Sequence, residues 1–285
     1  MGNWNLSWHH KCLHIADLWD RKITGAGVTV AVLDTGLAQP QGLAQDSFEY
    51  LDARGRPVSP YDPDGHGTCC ASVIASRKGG ALGIAPEAKI VSFRVLQTGN
   101  EAEDIETALV YILQNRSDIN VVSCSFIVSA VSDALRAVVR NLANAGTVVV
   151  AAAGDDSGQS PEFPELTQNA ITVAATDQHA QPLGGAVVGP WIDLAAPGND
   201  IPALAPQIGR VILFGQSSAA AAVASGVAAL TLSTRPAGPS RQNLGVGLEG
   251  LLKTTATSDP TVDPNAIGAG IVNPIALVKA AEAIP

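Results

Sequence analysis

The sequence has few aromatic residues and no cluster of positive charge. Aromatic side chains make up 4% of the chain, and 17 lysines and arginines face 26 aspartates and glutamates, so the net charge is −9. Proteins that bind nucleic acids carry a basic surface, and this balance argues against such a partner. No apolar stretch is long enough to cross a bilayer, and no internal repeat is found. These absences argue against a nucleic-acid-binding protein and against a membrane-spanning segment.

Cysteine is also scarce, and its spacing is uninformative for metal binding. The four cysteines are Cys12, Cys69, Cys70 and Cys124, and adjacent thiols form an awkward pair for a structural bridge. The N-terminus lacks the basic segment and apolar core of a signal peptide. We therefore expect free, mostly buried thiols and favour a cytoplasmic location over secretion, unless the chain begins after processing.

The 285 residues contain no long linker, which predicts a single domain over 1–285, with 1–24 as an N-terminal extension packed on it. Strand-like and helix-like segments alternate. This order predicts an α/β protein with a mostly parallel sheet and helices on both faces. The strand-like runs are 28–33, 90–95, 120–123, 148–152 and 170–174, and the clearest helical stretches are 101–115 and 132–145.

Three polar residues stand in short signatures that suit nucleophilic catalysis. Asp34 ends an apolar run, His66 lies between two glycines, and Ser217 precedes an alanine-rich stretch. A serine hydroxyl needs a base to take its proton, and a carboxylate fixes the imidazole that acts as this base. A serine at a helix N-terminus also has backbone N–H groups available to a developing oxyanion. Ser218 is the alternative nucleophile.

The chain order Asp, His, Ser resembles that of the subtilisin-like serine proteases. The resemblance extends from about Gly25 to Asn273. It implies a three-layer subtilisin-like fold and a serine endopeptidase that forms an acyl-enzyme with a peptide or protein substrate. A propeptide or partner domain outside this chain is compatible with it. The motifs that carry it, besides the triad signatures, are 83–86, 121–125, 147–154, 194–198 and 268–273.

The main departure from this family is Asp155. The family usually places asparagine there, and its amide donates a hydrogen bond to the oxyanion. An ionised aspartate cannot donate, so it assists only when it holds a proton. Sedolisins and one proprotein convertase are similar in using aspartate. The alternative is a catalytically impaired domain that binds peptides or regulates without cutting them.

The expected substrate groove also departs from the family. By resemblance it includes Ser125, Phe126, Ile127 and Gly154, and the two bulky residues stand where subtilisins keep small ones. We expect a reshaped groove and a restricted substrate range, such as precursor processing. By the same resemblance, Glu162 falls in the family's loop at the base of the specificity pocket. It either selects lysine or arginine by charge-assisted pairing or points to solvent.

Calcium is the cofactor that the resemblance implies, yet the expected ligands are missing. Segment 76–82 is short and carries two cations without a carboxylate, and Gln39, Pro40 and Gln41 occur where the family has an aspartate ligand. Calcium requires several oxygen ligands. We therefore expect no metal at the family's tight site, although a weaker calcium site elsewhere is compatible with the sequence.

Removal of calcium should leave thermal stability unchanged. We expect the same melting temperature with excess EGTA as with added CaCl2, because segment 76–82 offers a calcium ion too few oxygen ligands. Differential scanning calorimetry of the same preparation under both conditions measures this. A clear fall in melting temperature with EGTA would contradict the prediction.

Overall fold

The computed structural model describes residues 5–39, 48–127, 131–156, 169–207 and 210–284. Its strands are β1 (Thr29–Asp34), β2 (Phe48–Asp52), β3 (Arg77–Lys78), β4 (Ala81–Leu82), β5 (Lys89–Arg94), β6 (Ile119–Cys124), β7 (Val148–Ala152), β8 (Ile171–Thr176), β9 (Leu194–Pro197), β10 (Ile201–Leu204) and β11 (Val211–Phe214).

Among the described residues, helices separate β2 from β3, β5 from β6 and β6 from β7, and four more follow β11. The helices are α1 (Trp8–Cys12), α2 (Ile15–Asp20), α3 (His66–Ala75), α4 (Glu101–Asn115), α5 (Asp133–Asn144), α6 (Gln216–Leu232), α7 (Pro239–Thr255), α8 (Pro264–Ile267) and α9 (Pro274–Ala283). Among the described residues, no helix combines the length and the apolar composition that a bilayer span requires.

Seven strands form one parallel sheet in the order β2-β5-β1-β6-β7-β8-β9. The chain builds one side of β1 with β2 and β5 and then crosses to the other side with β6. Sites in open parallel sheets lie at the carboxyl ends of strands where the order reverses in this way. Asp34 is the last residue of β1 and therefore lies at that point. The predicted α/β fold is confirmed.

The central strand is apolar because both faces of the sheet are covered. Side chains alternate between faces along a strand. Val30 and Val32 belong to the core that contains α3 and α6, whereas Ala31 and Leu33 belong to the core that contains α4 and α5. Helix α6 is buried on nearly all sides. Its many alanines permit this, since small side chains let neighbouring elements approach from every direction.

The described part of the N-terminal extension packs against this body. The indole N–H of Trp19 donates to the Ile84 carbonyl at 3.0 Å, and that of Trp8 donates to the Asn199 carbonyl at 3.0 Å. His9 and His10 are buried in α1, with ring centroids 3.9 Å apart. Burial lowers the pKa of His10 to about 4, and burial together with the charge of His10 holds the pKa of His9 well below its usual value.

The two histidines should make stability fall on acidification. Their side chains titrate near 6.5 when unfolded, so below that pH the unfolded chain binds more protons. We expect the free energy of unfolding to be lower at pH 5 than at pH 7, with roughly 2 kcal/mol of the loss due to His10. Urea denaturation at both pH values measures it.

His10→Leu should remove much of this difference between pH 7 and pH 5. His179 is exposed, so His179→Gln is the matched control and should keep the full dependence. An unchanged pH dependence in His10→Leu would show that other groups cause it.

Candidate active site

Asp34 is a buried carboxylate at the carboxyl end of the central strand, with 0% exposure. Its Oδ1 accepts a hydrogen bond from the Thr35 backbone N–H at 2.7 Å. The Nδ1 atom of His66 lies 2.8 Å from Oδ1 and 3.0 Å from Oδ2. This geometry has Nδ1–H donating to the carboxylate, so Nε2 is the ring nitrogen left to accept a proton.

Asp62 organises the loop that delivers His66. Its carboxylate accepts from the Thr35 hydroxyl at 2.7 Å, the Gly65 N–H at 2.9 Å, and the N–H and hydroxyl of Thr68 at 2.8 and 2.6 Å. It therefore ties the segment after β1 to the first turn of α3. Its position just before a helix, in the acidic stretch preceding His66, was the available signal.

Two glycines allow this close approach. A Cβ atom at Gly67 would lie 2.2 Å from the Gly36 carbonyl oxygen, and one at Gly36 would lie 2.2 Å from the Tyr61 carbonyl oxygen. Gly36 also has φ of +123°, which side-chain-bearing residues rarely adopt. A larger residue at either position would separate the strand carrying Asp34 from the helix carrying His66.

The environment of His66 favours its protonated form. Burial lowers its pKa, but the hydrogen bond and charge of Asp34, with the charges of Asp64 and Asp62, outweigh burial and raise the pKa above the ordinary value of 6.5. The ring is 27% exposed and meets the Phe214 ring edge-on at a centroid distance of 5.3 Å. The imidazole is therefore a stronger base than a free histidine, as proton abstraction requires.

Ser217 lies in the first turn of α6 and is 1% exposed. Its Oγ accepts from the Gly154 N–H at 3.2 Å, and its own backbone N–H donates to Asp155 Oδ1 at 2.8 Å. The preceding residue, Gln216, has φ of +67°, in the left-handed region that favours glycine. Strained backbone of this kind is concentrated at functional sites.

The two neighbouring serines have different surroundings. The Ser218 hydroxyl donates to the Ser125 carbonyl at 3.0 Å, and the Ser125 hydroxyl donates to the Ser218 carbonyl at 3.1 Å. This reciprocal pair holds α6 against the end of β6. Because Ser218 is engaged there and Ser217 faces Gly154 and Asp155, the geometry favours Ser217 over Ser218 as nucleophile.

Within the described residues, no hydrogen bond joins His66 to Ser217. Catalytic hydrogen bonds are often long without substrate and tighten in the complex. The hydroxyl is instead held by Gly154.

The two bulky groove residues make different contacts. Phe126 packs against the core that contains α4 and α5. Ile127 is 36% exposed and covers Gly154, where an added Cβ would meet its Cδ1 atom at 2.7 Å. Glu162 lies outside the described residues.

A cysteine completes the surroundings of the histidine. The Sγ atom of Cys70 is buried 3.7 Å from His66 Nδ1, and Asp34, His66 and Cys70 form a cluster of potential metal ligands within the described part of the chain. Burial raises the pKa of the Cys70 thiol well above its usual value, and the Asp34 charge raises it further. A neutral buried thiol behaves as a small apolar group and suits packing better than metal binding.

Segment 76–82, where calcium was considered, forms the β3–β4 hairpin, with Arg77 Nε donating to the Pro86 carbonyl at 2.7 Å. Pro40 and Gln41, also considered for a ligand, are not among the described residues. The absence of a tight calcium site remains a prediction.

The fold and this site define a subtilisin-like serine endopeptidase. The chain belongs to the subtilase family, peptidase S8, which it matches over residues 25–270. It is 32% identical to Subtilisin BL of Lederbergia lenta over 257 residues, covering 89% of this chain and 91% of that protein. It is 32% identical to M-protease of Shouchella clausii over 257 residues, covering 89% of this chain but spanning 65% of that relative's length.

Solved structures agree with this assignment. MycP1 with its N-terminal propeptide removed superimposes with a TM-score of 0.77 at 25% identity, covering 95% of this chain and 96% of that one. The MycP3 protease from the type VII (ESX-3) secretion system gives a TM-score of 0.77 at 26% identity, covering 96% of this chain and 88% of that one.

Replacing Asp34 by asparagine should lower the pKa of His66. Burial of the ring would remain, whereas the hydrogen bond and charge that outweigh it would be lost. We expect the Asp34→Asn imidazole to titrate below 6.5, as followed by NMR of its ring protons. Asp64→Asn is the control, because Asp64 affects the pKa of the ring through its charge without a hydrogen bond to the ring, and a smaller decrease is expected. Equal shifts in both variants would contradict the assignment.

Proposed function

We propose that this chain cleaves peptide bonds through an acyl-enzyme formed on Ser217. His66 takes the serine proton at Nε2 and later returns it to the leaving amine, while Asp34 orients the ring and stabilises its charged form. The observation that carries the proposal is the buried carboxylate 2.8 Å from His66 Nδ1 in a chain of the subtilase family.

Asp155 is the proposed oxyanion residue, and its protonation decides whether the site is active. The Ser217 N–H, the expected backbone donor to the oxyanion, donates to Asp155 Oδ1 at 2.8 Å. As a carboxylate, Asp155 occupies that donor and repels developing negative charge. As a carboxylic acid, it can donate a hydrogen bond to the oxyanion, and its hold on the Ser217 N–H is weaker because it carries no charge.

This hydrogen bond also supports the second candidate function. A carboxylate that permanently occupies the Ser217 N–H would leave a peptide-binding or regulatory domain with little turnover. The two candidates differ in whether Ser217 can be acylated, so a covalent probe distinguishes them.

A restricted substrate range is part of the proposal. The contact between Ile127 and Gly154 narrows the groove beside the nucleophile. This favours dedicated processing of a few precursors over general degradation. The structural relative MycP3 is a protease from a type VII secretion system.

Substitution of Asp155 tests its role. We expect activity that requires Ser217 and rises as His66 loses its proton. Asp155→Asn should exceed the unmodified chain by about 10²–10³-fold if the unmodified side chain acts as a carboxylate, because an amide donates a hydrogen bond to the oxyanion and a carboxylate does not. Cleavage of a peptide panel and labelling by a fluorophosphonate measure both variants.

Ser217→Ala provides the blank for labelling and cleavage. Labelling of the unmodified chain but not of this variant supports the protease. No labelling of the unmodified chain at any pH, together with recovery in Asp155→Asn, would establish the impaired binding domain. No labelling of either would reject Ser217 as nucleophile.

A further inference from the structure

A polar cavity lies beside the candidate active site, and the proposed reaction does not use it. It has a volume of about 330 Å³ and lies at the carboxyl ends of β2 and β5. We call it the arginine cavity. The lining residues that matter here are Tyr50, Ser59, Tyr61, Ser92, Arg94 and Thr98.

Arg94 is a cation without a carboxylate partner among the described residues. In the sheet it pairs in register with Asp34 of β1 and Asp52 of β2. Both carboxylates are already engaged, Asp34 by His66 and Asp52 by Arg56 at 2.6 Å. The Arg94 Nε atom is buried and has no hydrogen-bond partner.

The Arg94 guanidinium instead stacks on an aromatic ring. Its Cζ atom lies 5.1 Å from the centroid of the Tyr61 ring. Such stacking fixes the plane of the guanidinium while its N–H groups remain available at the edge. A planar fork of donors held in this way matches a carboxylate, which accepts two parallel hydrogen bonds.

The charges around the cavity also favour an anion. Its lining holds Arg54, Arg56 and Arg94 against Asp52 and Asp104. Asp52 is neutralised by Arg56, and Asp104 lies 3.9 Å from Arg54, so the uncompensated charge belongs to Arg94. This local excess of positive charge occurs in a chain whose net charge is −9.

We propose that the arginine cavity binds a carboxylate group, with Arg94 as the principal donor. The ligand is either an acidic side chain of the peptide substrate or a small free carboxylate. The first source rests on the proposed function, since it requires a substrate at Ser217, whereas the second does not.

Two contacts join the cavity to the catalytic loop. The Tyr61 backbone closes on Gly36, two residues after Asp34. Gln97, also in the lining, donates to Asp64 at 2.8 Å, two residues before His66. Because the cavity and the triad share one edge of the sheet, a substrate acidic residue bound by Arg94 would add to productive binding of the peptide.

The direct test uses glutarate as the probe and needs no catalysis. Isothermal titration calorimetry at low ionic strength is performed on Ser217→Ala and on the same chain with Arg94→Gln added. We expect saturable binding that weakens by about tenfold or more without Arg94, as loss of a charge-assisted pair predicts. Arg140 is exposed on α5, so Arg140→Gln matches the charge change and should bind as before.

Stability separates a ligand-binding arginine from a structural one. Arg94→Gln removes the contact with the exposed Tyr61 ring but breaks no ion pair, so we expect a melting temperature close to that of the parent chain. Tyr61→Leu provides a second variant that keeps the charge and removes the stacking ring, and it should also weaken glutarate binding. A clear loss of melting temperature in Arg94→Gln would indicate a structural role and overturn the proposal.

Peptide pairs identify the source of the carboxylate. Peptides that differ only by glutamate or glutamine, placed in turn at each position before the scissile bond, are compared by kcat/KM. A glutamate preference of about tenfold at one position that disappears in Arg94→Gln assigns the cavity to the substrate. Glutarate binding without such a preference assigns it to a free ligand. If glutarate does not bind and no glutamate preference is found, the proposal is overturned. If glutarate binds but no fluorophosphonate labels the unmodified chain, the protease function has failed while the carboxylate site stands.

Discussion

The buried carboxylate of Asp34 is the constraint on which the site depends. An ionised group removed from water costs several kcal/mol unless its oxygens are hydrogen-bonded. Asp34 meets this requirement with the Thr35 N–H and with His66. The requirement brings α3 onto the end of β1 so closely that Gly36 and Gly67 have no room for a side chain. The hydrogen bond between Asp34 and His66 thus orients the catalytic base and also holds α3 against β1.

Carboxylates near the triad perform different tasks because their partners differ. Asp34 raises the pKa of His66 through a hydrogen bond and its charge, whereas Asp62 accepts hydrogen bonds from neutral donors, holds the loop in shape and raises that pKa through its charge alone. Asp155 accepts the N–H of the nucleophilic residue itself. A carboxylate can therefore raise the pKa of the histidine, hold a loop in place or bind the N–H of the nucleophile, depending on which donor lies next to it. Residue type alone does not distinguish these roles.

The local pattern of apolar residues was sufficient to predict strands that are buried on both faces and the helix α4. The apolar runs at 28–33 and 148–152 predicted β1 and β7 to within a residue, and the helical stretch 101–115 coincides with α4. Strand β2 was missed because it lies at the sheet edge, where its Phe-Glu-Tyr-Leu-Asp sequence is half-buried and forms no apolar run. Phe126 is half-buried against the core beside it, and its place in the groove remains a prediction.

The sequence by itself determined the α/β class and the identity and order of Asp34, His66 and Ser217, because short signatures and apolar periodicity are local properties. Only the tertiary structure decided that Asp155 meets the Ser217 N–H and that Arg94 lies between two engaged carboxylates. These relations join residues far apart in the chain, and they depend on which donors and acceptors remain unpaired after the sheet and its helices have packed. The spacing of residues along the sequence does not indicate which donors and acceptors remain unpaired.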